Sequence, residues 1–216
     1  MSVSPREPAL TAEERTIVAS QLGREPRDVS GVAARCPFAC PAVIETLPVL
    51  SDGTPNPTLL YLTCPVLVTA VSTVEARGGV RALKAAFGAD ESVREVLLEV
   101  TRLYRVRRAA LAGPGCPDAP ARVAAPRGRE EPGVGGPSDP SKASCLHAYT
   151  AALLAVRQGW LPSVPGAEDV WNRLGLPGAA VWCRDGRCLK LLHDSSGLPG
   201  AARRRRGKAG ATKRAG

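Results

Sequence analysis

Apolar positions recur along the chain with two rhythms, and they divide it into helical and strand-like segments. Thr11-Ala12-Glu13-Glu14 precedes Ile17, Val18 and Leu22. The Thr11 hydroxyl and the Glu14 carboxylate suit a capping box, so a helix is predicted to about Leu22, with Gly23 as its stop. Residues 24–34 read as a connector. Ala42 to Leu50 and Thr58 to Thr63 are rich in Val, Ile, Leu, Thr and Tyr, and Ser51 to Pro57 between them is dense in turn residues. That arrangement predicts an antiparallel pair of strands.

Helical spacing takes over after Pro65, which fits the first position of a helix. Val66, Ala70, Val71 and Val74 form one stripe that ends at Gly78-Gly79. A short helix over Val80 to Phe87 follows. Asp90 then caps a longer one from Glu91 to about Ala112, with Val93, Val96, Leu97, Val100, Leu103 and Tyr104 on one face. Its last turns hold Arg105, Arg107 and Arg108, which complement the helix dipole. Ser144 caps a helix from Cys145 to about Gln158, and Ala167 to Leu174 predicts another. In Ala179 to Leu192, Asp185-Gly186 lies between two short apolar runs and predicts a two-residue hairpin.

The fold class expected is α+β: a small antiparallel hairpin or sheet packed against several helices, with a disordered linker and a basic tail. The boundaries read as a disordered segment over 1–10, an α+β core over 11–112 and a Gly/Pro-rich linker over 113–142. Helices and a hairpin over 143–195 pack on the core, and 196–216 is a disordered basic tail. The linker assignment rests on six Gly and seven Pro between Gly113 and Lys142.

Composition refines this picture. Apolar residues make up 44% of the 216 residues and aromatics only 4%, so the core is mostly aliphatic. The formal charge is +9, and the last sixteen residues carry seven of those charges and no acid. The body of the protein is therefore nearly neutral. Arg203, Arg204, Arg205, Arg206 and Lys208 offer phosphate contacts or a surface for an acidic partner or nucleic acid. No aromatic is interleaved for base stacking. The N-terminus lacks the apolar region of a secretory signal, and the longest apolar run, Pro65 to Val71, is too short to span a bilayer. The expectation is a cytoplasmic protein with no transmembrane segment. In that compartment seven cysteines favour metal binding or thiol chemistry over a disulfide framework.

Candidate chemistry centres on those cysteines. Cys36-Pro37 and Cys64-Pro65 bracket the predicted hairpin, and Cys145-Leu146-His147 lies far along the chain. Three thiolates and an imidazole from Cys36, Cys64, Cys145 and His147 suit tetrahedral zinc, and three thiolates with another ligand suit an iron–sulfur cluster. Residues two apart on a helix point about 200° apart, so Cys145 and His147 share a ligand only if the helix begins at or after them. Buried structural cysteines are the plainer alternative. Cys145 at a helix start, with the dipole favouring its thiolate and His147 as base, is a candidate nucleophile, although no Asn or Asp orienter is evident. Cys36 and Cys40 form a C-x3-C pair, a weak redox signal stiffened by Pro37 and Pro41. Cys183 and Cys188 form a separate thiol pair, expected to face each other across the hairpin. Glu45 reads as a solvent-facing strand residue. The chain holds no P-loop, no Gly-x-Gly-x-x-Gly after a strand, no His-Glu-x-x-His and no Gly-x-Ser-x-Gly.

Several pieces in order resemble a bacterial family known as domain of unknown function 501. They are Gln21 to Arg27, Ala34-Arg35-Cys36-Pro37, Ile44-Glu45-Thr46, Asp52-Gly53-Thr54-Pro55, Pro57-Thr58-Leu59, Leu62-Thr63-Cys64-Pro65 and Cys145-Leu146-His147-Ala148, with Gly133 to Gly136 as a Gly-Gly element. The resemblance covers about residues 20–155 and implies no established activity. Where similar chains carry further histidines and an Asn-Pro element, this one has Ala151, Ala152 and Trp160-Leu161-Pro162. The leading expectation is a non-enzymatic protein with a cysteine-based zinc or iron–sulfur site. A cysteine- or metal-dependent enzyme and a polyanion-binding adaptor acting through the tail are the alternatives.

Overall fold

The computed structural model describes residues 10–112, 131–177 and 181–194, with side chains in the last segment described as far as Lys190. Residues 1–9 of the predicted disordered N-terminus, the basic tail and most of the linker lie outside these residues, while Leu10 is described and buried. The described part is α+β: seven α-helices and one three-stranded antiparallel sheet.

The sheet runs β1 (Val29–Arg35), β2 (Pro41–Thr46) and β3 (Leu60–Leu62), in that order in space. The predicted pairing of the second and third strands is present, with Val43 opposite Leu62 and Ile44 opposite Tyr61. All six residues of β2 are buried. A strand covered on both faces need carry no apolar–polar alternation.

β1 replaces the connector expected over residues 24–34. Its sequence, Val-Ser-Gly-Val-Ala-Ala-Arg, has a central glycine and small side chains, so its intrinsic strand signal is weak. Tertiary packing supplies what propensity does not. A Cβ on Gly31 would lie 2.7 Å from Cη2 of Trp160, so the indole rests directly on the glycine backbone.

Each face of the sheet has its own cover. Val32, Ile44 and Tyr61 form a row that packs with Val18 and Leu22 of helix α1 (Ala12–Leu22). The predicted capping box opens that helix: Thr11 N donates to Glu14 Oε2 at 2.9 Å, and Glu14 N donates to Thr11 Oγ1 at 3.2 Å. Gly23 closes it in the left-handed region, with φ of 67°. The core on the other face also takes in helices α2 (Pro65–Ala76), α3 (Gly79–Ala89), α4 (Glu91–Ala112), α5 (Leu146–Arg157) and α6 (Ala167–Arg173). α5 touches all three strands and α2, α4 and α6. Nine of its twelve residues are buried, as a helix at the centre of a domain requires.

Glu45 departs from the expectation of a solvent-facing strand residue. It is fully buried on the helical face. Arg107 of α4 donates Nε to Oε1 at 2.7 Å and Nη2 to Oε2 at 2.9 Å. Trp160 Nε1 donates to Oε1 at 2.9 Å, and Ser30 Oγ donates to Oε2 at 2.8 Å. The Arg107 guanidinium also lies over the Trp160 ring, 5.1 Å from its centroid. One carboxylate thus joins two strands, α4 and the segment after α5.

Two further expectations change. Residues 131–140, assigned to the linker, are buried or half-buried: Val134 and Pro140 are buried, and Pro140–Lys142 forms a 3-10 turn capped by Asp139. The C-terminal hairpin is absent among the described residues. Asp185-Gly186 instead precedes helix α7 (Arg187–Asp194), which packs on α1. Apolar residues at 188, 189, 191 and 192 follow helical spacing, and that rhythm overrides the two-residue turn signal.

Candidate metal centre

Helix α2 is the ruler on which the cysteines separate. Cys64 is its N-cap and Glu75 lies in its last turn. Eleven residues at 1.5 Å each place the two ends about 16 Å apart. Cys145 and His147 gather at the Glu75 end. Cys36 and Cys64 belong to the core at the other end, beside the start of α2. The four residues expected to share one ligand therefore fall into two groups.

The Glu75 end has a defined geometry. Cys145 is the N-cap of α5, in extended conformation with φ of −148°, and the helix proper starts at Leu146. Its side chain therefore escapes the helical opposition to His147, and Sγ lies 3.8 Å from His147 Nδ1. Glu75 Oε1 lies 3.3 Å from the same Nδ1. The backbone amide of Leu146 donates to Glu75 Oε1, so this carboxylate also caps α5. One atom from each of Glu75, Cys145 and His147 falls within 4.8 Å of the other two. Gly135 backs the site; an added Cβ there would lie 3.3 Å from that of Ala148 and 3.9 Å from that of Cys145.

The far side of the imidazole is held by α2. Nε2 lies 3.2 Å from the carbonyl oxygen of Val68 and 3.1 Å from Ser72 Oγ. The Val68 carbonyl can take a hydrogen from Nε2, and the tautomer that carries it there leaves the Nδ1 lone pair facing Sγ and Oε1. Three donors then converge on one point. This is the arrangement in which a backbone carbonyl orients a ligating histidine from behind.

The spacing also fits. In a tetrahedral zinc site, bonds near 2.3 Å to sulfur and 2.0 Å to nitrogen and oxygen set S···N at about 3.5 Å and N···O at about 3.3 Å. The corresponding distances here are 3.8 and 3.3 Å.

A thiol–imidazole–carboxylate catalytic triad is disfavoured by the same geometry. In a triad the nucleophile and the orienting carboxylate use opposite nitrogens of the ring. Here both face Nδ1, and Nε2 is occupied by α2. The expectation of a thiolate at Cys145 is also reversed. Burial pushes its thiol above the usual value, and the Glu75 carboxylate adds to this. The amides of Ala148 and His147 pull the other way without closing a capping hydrogen bond.

Glu75 was not among the residues singled out from sequence. Its one distinguishing feature there is that it is the sole charged residue of α2.

At the other end, Cys36, Cys40, Cys64 and Cys188 are buried and Cys183 is partly buried. Cys183 and Cys188 do not face each other across a hairpin, since α7 occupies that place. Arg203 to Arg206 and Lys208 lie outside the described residues.

Among the described residues no helix is long and apolar enough to cross a membrane. The molecule is thus an α+β protein with a Glu–Cys–His cluster between two helices. The model of the family described as "Protein of unknown function (DUF501)" matches residues 32–161, more than half of the chain, and the chain belongs to that family. The matched span includes Glu75, Cys145 and His147. A search among curated proteins found no match, and neither did one among solved structures.

Proposed function

We propose that the protein binds a divalent transition ion of the zinc type through Glu75, Cys145 and His147. The observation that carries this reading is the imidazole Nδ1, which faces a thiol and a carboxylate while Nε2 lies 3.2 Å from the Val68 carbonyl. A mixed sulfur, nitrogen and oxygen set suits zinc and its neighbours in the first transition row. It does not suit an iron–sulfur cluster, which draws on several thiolates.

Three protein ligands leave a fourth position for water or another exchangeable ligand. About a quarter of the His147 and Glu75 side-chain surfaces is exposed, so that position has access to solvent. A closed structural site uses four protein ligands, so this one belongs with open sites that support Lewis-acid chemistry.

The test is metal content after anaerobic purification. Wild-type protein is expected to retain an ion that His147→Ala and Glu75→Gln each release. An unchanged content in both variants sinks the reading.

A further inference from the structure

Five of the six described cysteines lie outside the Glu75 cluster, and three separate chain segments bring them together. The first segment is the turn Cys36–Cys40, closed by Cys36 N donating to Cys40 O and Ala39 N donating to Cys36 O, each at 2.9 Å. The second is Cys64, whose backbone amide reaches Ala42 O at 3.3 Å, just past that turn. The third is the segment from Cys183 to Cys188.

Two contacts seat the third segment on the first. The side-chain amide of Gln21 donates Nε2 both to the Pro41 carbonyl at 2.9 Å and to Cys188 Sγ at 3.5 Å. It thereby pins the Cys188 sulfur beside Cys40-Pro41. Gly186, at φ of 56°, lies under the Phe38 ring inside the Cys36–Cys40 turn; an added Cβ would be 3.1 Å from Phe38 Cδ1. Cys36, Cys40, Cys64 and Cys188 are all less than a tenth exposed and belong to one core cluster.

We propose that this cluster is a second metal site, a thiolate site for a soft closed-shell ion such as zinc. Its ligands are Cys36, Cys40 and Cys188, with the fourth sulfur from Cys64 on the core side or Cys183 on the solvent side.

The mutual influence of the thiols agrees with this placement. Burial first, and then the sulfurs of Cys36, Cys188 and Cys183, push the Cys40 thiol up to about 12. Burial raises Cys64 and Cys188 as well, and both feel Cys36. Buried thiolates repel one another and lack hydration. A disulfide relieves only two of the sulfurs. A divalent ion stabilises all four as thiolates at once, each losing its proton to solvent as its bond to the ion forms.

No three of these sulfurs lie within 4.8 Å of one another among the described residues. Zinc–sulfur bonds near 2.3 Å set tetrahedral S···S distances at about 3.8 Å. Binding therefore tightens the seating of the 183–188 segment on the Cys36–Cys40 turn. The ion acts as a clasp between the C-terminal helix and the sheet.

The experiment counts zinc per chain in the anaerobically purified full-length protein. Wild type is expected to hold two ions, Cys36→Ser and Cys188→Ser one each, His147→Ala one, and Cys36→Ser/His147→Ala none. One of Cys64→Ser and Cys183→Ser is expected to match Cys188→Ser. Zinc content in Cys36→Ser and Cys188→Ser equal to wild type overturns the thiolate site. So does an intact mass short by a pair of hydrogens with no zinc at this end, which marks a disulfide. An ion lost in Cys36→Ser but not in His147→Ala leaves the thiolate site standing while the Glu75 site fails, and the converse separates them the other way. Cobalt(II) titration of unmodified protein guards against misfolded variants. A strong sulfur-to-cobalt charge-transfer band, scaled to four thiolates, supports the site. A band scaled to one thiolate refutes it.

Discussion

Replacing Glu45 with alanine is expected to be among the most damaging single changes in this protein. The carboxylate is fully buried, and its two oxygens accept four hydrogen bonds from Arg107, Trp160 and Ser30. Glu45→Ala strands the Arg107 guanidinium, whose side chain is only 11% exposed, without a counter-charge. Breaking a buried pair by removing one partner costs about 3–5 kcal/mol. In a domain of this size that corresponds to a fall in Tm of roughly 10–15 °C. The control is the pair Glu45→Leu with Arg107→Leu, in which no unpaired charge remains. It is expected to be less destabilised than the sum of the two single changes by about 1–3 kcal/mol. Urea unfolding followed by tryptophan fluorescence measures both, since Trp160 reports on the same network. A loss below about 1 kcal/mol for Glu45→Ala, or strict additivity in the double variant, refutes the keystone role.

Other expectations follow from the packing and the thiols. Gly31→Val places side-chain atoms where the Trp160 indole rests. It is expected to cost about 1–3 kcal/mol and to shift the tryptophan emission, and unchanged emission with full stability counts against the packing described. Metal affinity at the Glu75 site is expected to rise with pH, by about tenfold per unit for the Cys145 proton, throughout the range below its raised thiol value. Isothermal titration with zinc at three pH values checks the slope, and a pH-independent affinity contradicts thiol ligation. Metal-free protein is expected to lose stability above pH 9. The Cys40 thiol stays neutral in the fold up to about 12 but ionises near 9 once unfolded, so its contribution is complete below pH 9 and disappears between 9 and 12. Cys40→Ser is expected to flatten that part of the Tm-against-pH curve, and an equally steep fall in the variant shows that other groups carry it.

What could be read in the sequence was local. The Thr11–Glu14 capping box, Pro65 at a helix start, Asp90 capping α4 through the amides of Ser92 and Val93, and the stripe along α4 each depend on residues within a turn or two. What escaped was decided at a distance. β1 is a strand because Trp160 covers Gly31 from more than a hundred residues away, while its own residues favour no such structure. Glu45 looks like any strand acid until Arg107 and Trp160 are in place. Glu75 becomes a site residue only when α5 folds back along α2. The grouping of the cysteines was not legible, because sequence spacing does not reveal that Cys64 caps one end of α2 while Cys145, at the start of α5, lies beside the other. At Asp185-Gly186 a local signal was present and outweighed by helical spacing and by packing on Phe38 and α1.

The most direct test of the account is an anomalous difference map from crystals grown with zinc. The expected result is a peak between α2 and the start of α5, about 2.0–2.3 Å from Glu75 Oε1, His147 Nδ1 and Cys145 Sγ, with Val68 accepting from Nε2. A peak bonded to Nε2, or no peak at this site while the protein is folded, contradicts it.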